Sequence, residues 1–313
     1  MNRLHNIRRK LSVAIFLLAI TSICSIGECC VTDGECSETN FRTIPLEFDI
    51  ESHLPVVKGK IDNQDARFLL DTGAAWTHIM PKSVKMFSLF SVPTESKSIG
   101  IGGASRRSIV RLKTLEFAHV KIKDPYIFEL DDLGFKPSFD LILGADYLFS
   151  HTIVIDIKSS IARIYGDEAC NPIAREGVNK KFFSIPAGNT EDDPRQKFTI
   201  KFAEQSFAAI IDTAATSSTV PIEIAKKIGF KEDEKKAFNR HEISGVGGST
   251  YAVAFEIQGM KISSLTLPKI RFLVTKAATK EEWSSNTIIL GLDFLRKYTV
   301  VFDTKNKRIV FLQ

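Results

Sequence analysis

The chain has 313 residues, 44% of them apolar and 25% charged, which suffices for two modest domains and is too apolar for a disordered polypeptide. Its formal charge is +5, but Arg3, Arg8, Arg9 and Lys10 crowd the first ten residues without an acid among them; without residues 1–27 the balance is 38 basic against 37 acidic residues. The basicity belongs to the N-terminus, and nothing remains that would predict a nucleic-acid partner.

In chain order, the basic start leads into an apolar run, Leu11–Ile26, that ends in the small residues Ser25 and Gly27. This is the layout of a signal peptide over residues 1–27, and it predicts a secreted or periplasmic protein. The run sits at or below the length that spans a bilayer, so membrane contact is expected only if the signal stays uncleaved or Cys24 is lipidated, and "TSIC" fits an acylation signal poorly. Cleavage leaves Cys29, Cys30, Cys36 and Cys170, an even number in an oxidising compartment, which predicts one or two disulfides. The simplest arrangement ties the short N-terminal segment 28–40 to Cys170. Metal spacings such as CxxC and HExxH are missing, as is the GxSxG of a serine hydrolase.

The rest of the chain is one unit written twice. "FRTIP" (Phe41–Pro45) returns as "FFSIP" (Phe182–Pro186), and Pro45 and Pro186 are 141 residues apart, as are Asp71 and Asp212. Around those acids, "RFLLDTGAAWTHI" (Arg67–Ile79) aligns with "AAIIDTAATSSTV" (Ala208–Val220). "SIGIGGAS" (Ser98–Ser105) aligns with "ISGVGGST" (Ile243–Thr250). The closing stretch from Asp140 to Tyr165 aligns with Thr287 to Phe311, placing Gly144 opposite Gly291. The predicted organisation is a first lobe at 41–165, a linker at 166–181 and a second lobe at 182–313. Alternation in "PLEFDI" and "KFTIKF", β-branched runs such as "HTIVIDI" and a turn at Asp62–Asn63 predict strands throughout. Short helices are expected after Pro81 and Pro221, each at a first helical position, and the acidic stretch Gly188–Arg195 reads as a loop.

An apolar strand ending in Asp-Thr-Gly-Ala, a glycine-rich hairpin some thirty residues on and a further apolar strand ending in Gly together resemble the aspartic proteases, in particular their retropepsin-like lobe. The resemblance covers about residues 41–313 and implies an all-β fold of two tandem retropepsin-like β-barrel lobes related by a pseudo-twofold axis. It implies an aspartic endopeptidase working as a monomer on a peptide or protein substrate, without metal or organic cofactor. One catalytic acid would come from each lobe, Asp71 and Asp212. Two carboxylates held close cannot both ionise, so the pair shares a proton; one member activates water while the other protonates the carbonyl oxygen. By the same resemblance Thr72 and Thr213 lock the two loops together, and Gly144 and Gly291 let backbone pass close behind each acid. Gly102, Gly103, Gly247 and Gly248 form flap tips that close on substrate.

Taken singly, an acid followed by Thr is more often a turn or helix cap than a catalyst, and a GxGG hairpin is a fragment of a nucleotide loop; their symmetric recurrence decides for the first reading. Asp146 and Asp293 also recur and are expected to cap short helices. The departure from the family's pattern is Ala214 opposite Gly73. Alanine keeps the backbone N–H that supports the acid, but a loop requiring positive φ there would cost about 1 kcal/mol and tilt Asp212. The alternative function follows from that residue: a protease-fold protein, weakened or inactive, that clamps peptides without cutting them. Finally, both motifs carry alanine, Ala74 and Ala215, where many pepsin-like enzymes carry a hydroxyl that favours the charged carboxylate. This predicts a mildly acidic optimum.

Overall fold

A computed structural model describes residues 40–130, 137–166, 171–231, 240–276 and 286–313. Residues 1–27, read above as a signal, and all five cysteines, with the expected disulfide, lie outside the described residues. Within them the chain is mostly strand, forming two curled half-barrel sheets in tandem. Each lobe contributes a ten-stranded sheet, and the two sheets run through their strands in the same order.

Local chemistry explains the repeated unit. In lobe 1, strands Pro55–Ile61 and Gln64–Leu70 form a hairpin over Asp62 and Asn63, both in the left-handed region with φ of 50° and 65°. That pair of angles is what a tight two-residue hairpin turn requires, and Asx residues tolerate it. The second strand carries Phe68, Leu69 and Leu70 into the core and delivers Asp71 at its end. It is flanked on its other side by the parallel strand Leu141–Leu143, with Leu70 opposite Leu143. Lobe 2 repeats this: strand Gln205–Ile211 carries Asp212 at its end and runs parallel to Thr287–Leu290, with Ile211 opposite Leu290. A strand buried on both faces has no polar side to alternate, hence the continuous apolar runs before each acid.

A third, six-stranded sheet joins the lobes. Strands Thr152–Asp156 and Thr299–Asp303, one from each closing repeat, pair antiparallel at its centre, with Ile153 opposite Phe302. The paired segments "FRTIP" and "FFSIP" are its outer strands.

Three local expectations change. Pro81 does open the helix Pro81–Met86, but Pro221 ends the strand Thr219–Pro221 and serves as N-cap of Ile222–Lys227, one position earlier than predicted. The 166–181 stretch, read as a linker, contains the helix Pro172–Glu176; Asn171 caps it, accepting from the Ile173 and Ala174 N–H groups. Most consequentially, Gly188–Arg195 is no loop: strands Gly188–Thr190 and Asp193–Phe202 form a hairpin. Glu191 and Asp192 at its turn are exposed, but Arg195 is buried and forked onto Asp193, with Lys197 just beyond paired to the same carboxylate, so a polar composition here does not mean a wholly solvated one.

Candidate active site

The two strand ends bring Asp71 and Asp212 together: the Asp212 carboxyl lies over Gly73 of the Asp71 loop, and its charge acts on Asp71. Each is held by its own loop. Asp71 Oδ1 accepts from the Gly73 N–H at 2.9 Å and the Ala74 N–H at 2.8 Å, and Asp212 Oδ1 accepts from the Ala214 N–H at 2.8 Å. Burial pushes the Asp71 carboxyl well above its usual value, and the neighbouring Asp212 charge pushes it further; the two N–H donors and Arg195 pull against this without winning. Burial also raises Asp212, opposed by the Ala214 N–H and Arg195. Two carboxyls so placed favour sharing one proton, which belongs to the pair.

The loops are locked across the lobe boundary by reciprocal bonds. Thr72 Oγ1 donates to the Ile211 carbonyl at 2.8 Å and Thr213 Oγ1 donates to the Leu70 carbonyl. In return each hydroxyl accepts from the other threonine's backbone N–H, both at 3.1 Å. Both threonines are fully buried, so these four bonds satisfy groups that water cannot reach.

Behind each loop lies a second brace. The Thr77 N–H and hydroxyl donate to Asp146 at 3.0 and 2.7 Å, while the Ser218 N–H and hydroxyl donate to Asp293 at 2.9 and 2.7 Å. The same hydroxyls accept from the Gly144 and Gly291 N–H groups, at 3.0 and 3.1 Å. The N-caps of the two short helices are Gly144 and Gly291 themselves. Asp146 and Asp293 also accept from the Tyr147 and Phe294 N–H groups of their own helices, at 3.0 and 2.9 Å, so each holds its helix start and serves as a strut for the acid-bearing loop. The glycines are needed for space: a Cβ on Gly144 would come within 2.6 Å of the Trp76 carbonyl carbon, and one on Gly291 within 2.5 Å of the Ala215 oxygen.

Gly73 and Ala214 separate the lobes. Neither residue has positive φ, so the left-handed backbone that would penalise alanine is not used. Space decides instead. A Cβ on Gly73 would fall 2.3 Å from the Asp212 carboxyl carbon, whereas position 214 holds a real methyl. Asp212 thus leans over Gly73, and Asp71 leaves room beside Ala214.

The four hairpin glycines come together. In strands Ser91–Gly100 with Gly103–Arg111, and Arg240–Gly245 with Gly248–Ile257, the turns meet tip to tip: the Gly102 N–H donates to the Val246 carbonyl at 3.0 Å. A Cβ on Gly102 would lie 2.1 Å from the Gly248 oxygen, and one on Gly247 2.3 Å from the Gly103 oxygen. Only glycine permits so close a crossing of backbones.

Two residues near the acids were not found from the sequence. His78, just beyond the first loop, is buried, and its Nε2 shares a hydrogen bond of 2.9 Å with Ser98 of the first hairpin; burial depresses it to about 4, so it is neutral. Arg195 is 4% exposed, and its Nη1 reaches the Gly73 carbonyl at 3.5 Å from the other lobe. The available signal was the spacing Asp193-x-Arg195: opposite charges two apart in an extended strand lie on one face and can pair.

Two separate segments of the chain match protein-family models. Residues 57–147 match an aspartyl protease family, and residues 198–297 match the gag-polyprotein aspartyl protease family. Each segment contains one acid, one glycine hairpin and one of the close-packed glycines. No curated protein matches the chain.

Proposed function

From the premise that the chain carries two retropepsin-like aspartyl protease domains, one in each half, we propose that it is an aspartic endopeptidase whose single site is completed within one polypeptide. The observation that carries this reading is the pairing of Asp71 with Asp212, two buried acids, each raised by burial, on loops that interlock across the lobe boundary. In the proposed reaction the ionised Asp212 takes a proton from a water held between the carboxyls, and the water oxygen attacks the scissile carbonyl carbon. Asp71 gives its proton to the carbonyl oxygen; in the collapse of the tetrahedral intermediate the C–N bond breaks, the amine leaves with the proton Asp212 took, and one hydroxyl of the intermediate returns its proton to Asp71, leaving the carboxylic acid and the starting pair. The glycine hairpins would part to admit an extended peptide and close over it, excluding water. The N-terminal basic and apolar segment supports action outside the cytoplasm, in the periplasm or the medium.

Ala214 does not weaken this reading, because its N–H still supports Asp212 and its backbone is unstrained. The test is peptide-library digestion across pH by wild type, Asp71→Asn and Asp212→Asn. Each substitution is expected to lower kcat by at least about a thousandfold, since the pair works as a unit. Near wild-type turnover by either variant would overturn the two-acid mechanism. Wild type that binds peptides but cuts none at any pH would establish the peptide-clamp alternative.

A further inference from the structure

We propose that Arg195 is a positioning residue of the paired acids, a cation supplied by the second lobe alone that reaches the Gly73 carbonyl of the first lobe's acid-bearing loop. The consequence for hydrolysis rests on the peptidase reading, but the electrostatic role does not.

Arg195 stands at the start of the strand Asp193–Phe202, which crosses to the first lobe and packs against its short helix Ala145–Leu148. The side chain is almost fully enclosed, and its fork is fixed: Nε to Asp193 Oδ1 and Nη2 to Asp193 Oδ2, both at 2.6 Å. That bidentate grip leaves Nη1 directed at the Gly73 carbonyl, 3.5 Å away. Gly73 is the residue whose N–H supports Asp71 and over which Asp212 leans. One guanidinium therefore touches the point on which both acids depend.

The arrangement has no counterpart in lobe 1. The strands correspond in register at an offset of 141, with Val57 opposite Phe68 as Phe198 is opposite Ala209. Position 195 then corresponds to position 54, which is Leu54, buried and apolar. A motif duplicated for symmetry would carry a cation on both sides or neither. Its presence on one side, against the Gly73 carbonyl of the Asp71 loop, fits a device that distinguishes the two acids.

The charged and titratable groups around the pair are few. Arg195 opposes the raised values of both Asp71 and Asp212. Asp193 lies beyond it; burial pushes that carboxyl up, but Arg195 and Lys197 outweigh burial and keep it ionised. Asp146 and Asp293 are occupied by Thr77 and Ser218, and His78 is neutral. The pair thus faces a dipole whose positive end is nearer. Removing Arg195 withdraws that end and leaves Asp193 and its negative charge; removing Asp193's charge leaves Arg195 uncompensated. The two changes must act in opposite directions.

The experiment measures the pair twice in wild type, Arg195→Met, Arg195→Lys and Asp193→Asn. One readout is the bell-shaped pH profile of kcat/KM for peptide hydrolysis; the other is carboxyl carbon NMR titration of aspartate-labelled protein, assigned with Asp71→Asn and Asp212→Asn. Both limbs are expected to move to higher pH in Arg195→Met, by about half a unit or more, and to lower pH in Asp193→Asn. Arg195→Lys keeps the charge and should bring the limbs back to wild type, even if the lost fork lowers kcat. A role confined to holding the fold would lower kcat and move neither limb. Coincident profiles, or shifts of the same sign in Arg195→Met and Asp193→Asn, would overturn the inference. Should Arg195→Met fail to fold, the acid shift in Asp193→Asn still decides it. A wild type that titrates as expected but cuts nothing would defeat the peptidase reading while leaving Arg195 its role.

Discussion

The two lobes agree wherever they hold the acids and differ wherever they touch them. Thr72 and Thr213 exchange the same four bonds, Thr77 with Asp146 repeats as Ser218 with Asp293, and Gly144 matches Gly291 in what it lets pass behind it. Around the carboxyls the correspondence stops. Gly73 faces Ala214, Leu54 faces Arg195, and the buried His78 faces Thr219. The scaffold is shared because both acids need the same support, and the surroundings diverge because a pair that holds one proton needs unequal members. Two identical lobes could distinguish them only through the substrate; two unlike lobes can do so in the empty site.

The largest test of that asymmetry is to exchange its simplest element. Gly73→Ala drives a methyl to within 2.3 Å of the Asp212 carboxyl carbon, which must move by about 1 Å to reach an ordinary contact. Displacements of about 1 Å cost about a hundredfold in turnover, so kcat should fall by at least that factor. Ala214→Gly removes a methyl from a place that already accommodates it, and kcat should stay within about threefold of wild type. Steady-state kinetics with one peptide substrate compares them. Equal losses in the two variants would show that the lobes are equivalent around the acids after all.

The shared scaffold makes the opposite demand, namely equality. Thr72→Val and Thr213→Val each delete one hydroxyl that donates to a buried carbonyl and accepts from a buried N–H. Each should cost about 1–3 kcal/mol in chemical denaturation, by matching amounts. The double variant should cost slightly less than the sum, since the contact of the two hydroxyls with each other at 3.5 Å is lost once rather than twice. A large difference between the single variants would mean that one lobe carries the grip.

What could be read from the sequence follows the same division. The strands, the lobe repeat and the pairing of Asp71 with Asp212 were legible because they rest on apolar periodicity and on motifs that occur twice. The struts were half legible: Asp146 recurs in Asp293, but its partner Thr77 is 69 residues away and only the antiparallel pairing of His78–Ile79 with Leu141–Leu143 brings them together. Ala214 was read through φ, the property a single residue displays, whereas the constraint at Gly73 is the carboxyl of a residue 139 positions later. Arg195 was least legible. It lies in an acidic stretch beside Pro194, and its burial depends on Asp193 neutralising it and on a lobe boundary that no local pattern announces.

A smaller effect separates the acids by their cost to the fold. The folded Asp71 binds its proton more tightly than an unfolded aspartate with its usual value of 3.8, so the native state holds more protons above that pH. Stability therefore falls as pH rises from about 4 towards the raised value, because the unfolded chain releases the proton first. Asp71→Asn keeps an acceptor for the Gly73 and Ala74 N–H groups and removes the titration. Its Tm should exceed wild type by about 2–4 °C near pH 7 and by much less near pH 4, as measured by thermal denaturation. A Tm gain independent of pH would mean that the Asp71 carboxyl is not raised in the folded protein.

The finest distinction concerns the residue after each motif. Ala74 and Ala215 offer the carboxyls a backbone N–H but no hydroxyl, and burial is left as the strongest influence on both acids. With no side-chain donor at either position, the pair should keep its shared proton to higher pH, and the wild-type kcat/KM profile should peak in the mildly acidic range. A serine at either position can donate to the neighbouring carboxylate and favour its charged form, which lowers the apparent values of the pair and moves the bell towards acid. The expected shift is about half a pH unit for Ala74→Ser with Ala215→Ser together, smaller than any change above. The single variants then probe the asymmetry most closely. Ala74→Ser stabilises charge on Asp71 and works against its hold on the proton, so it should narrow the difference between the acids, while Ala215→Ser widens it by favouring the charge that Asp212 bears in the proposed reaction. In carboxyl NMR titrations the Asp71 and Asp212 resonances should accordingly converge in the first variant and separate in the second. Identical movement in both would show that the pair does not distinguish its members, and a wild-type profile peaking in strong acid would show that the missing hydroxyls do not set its range.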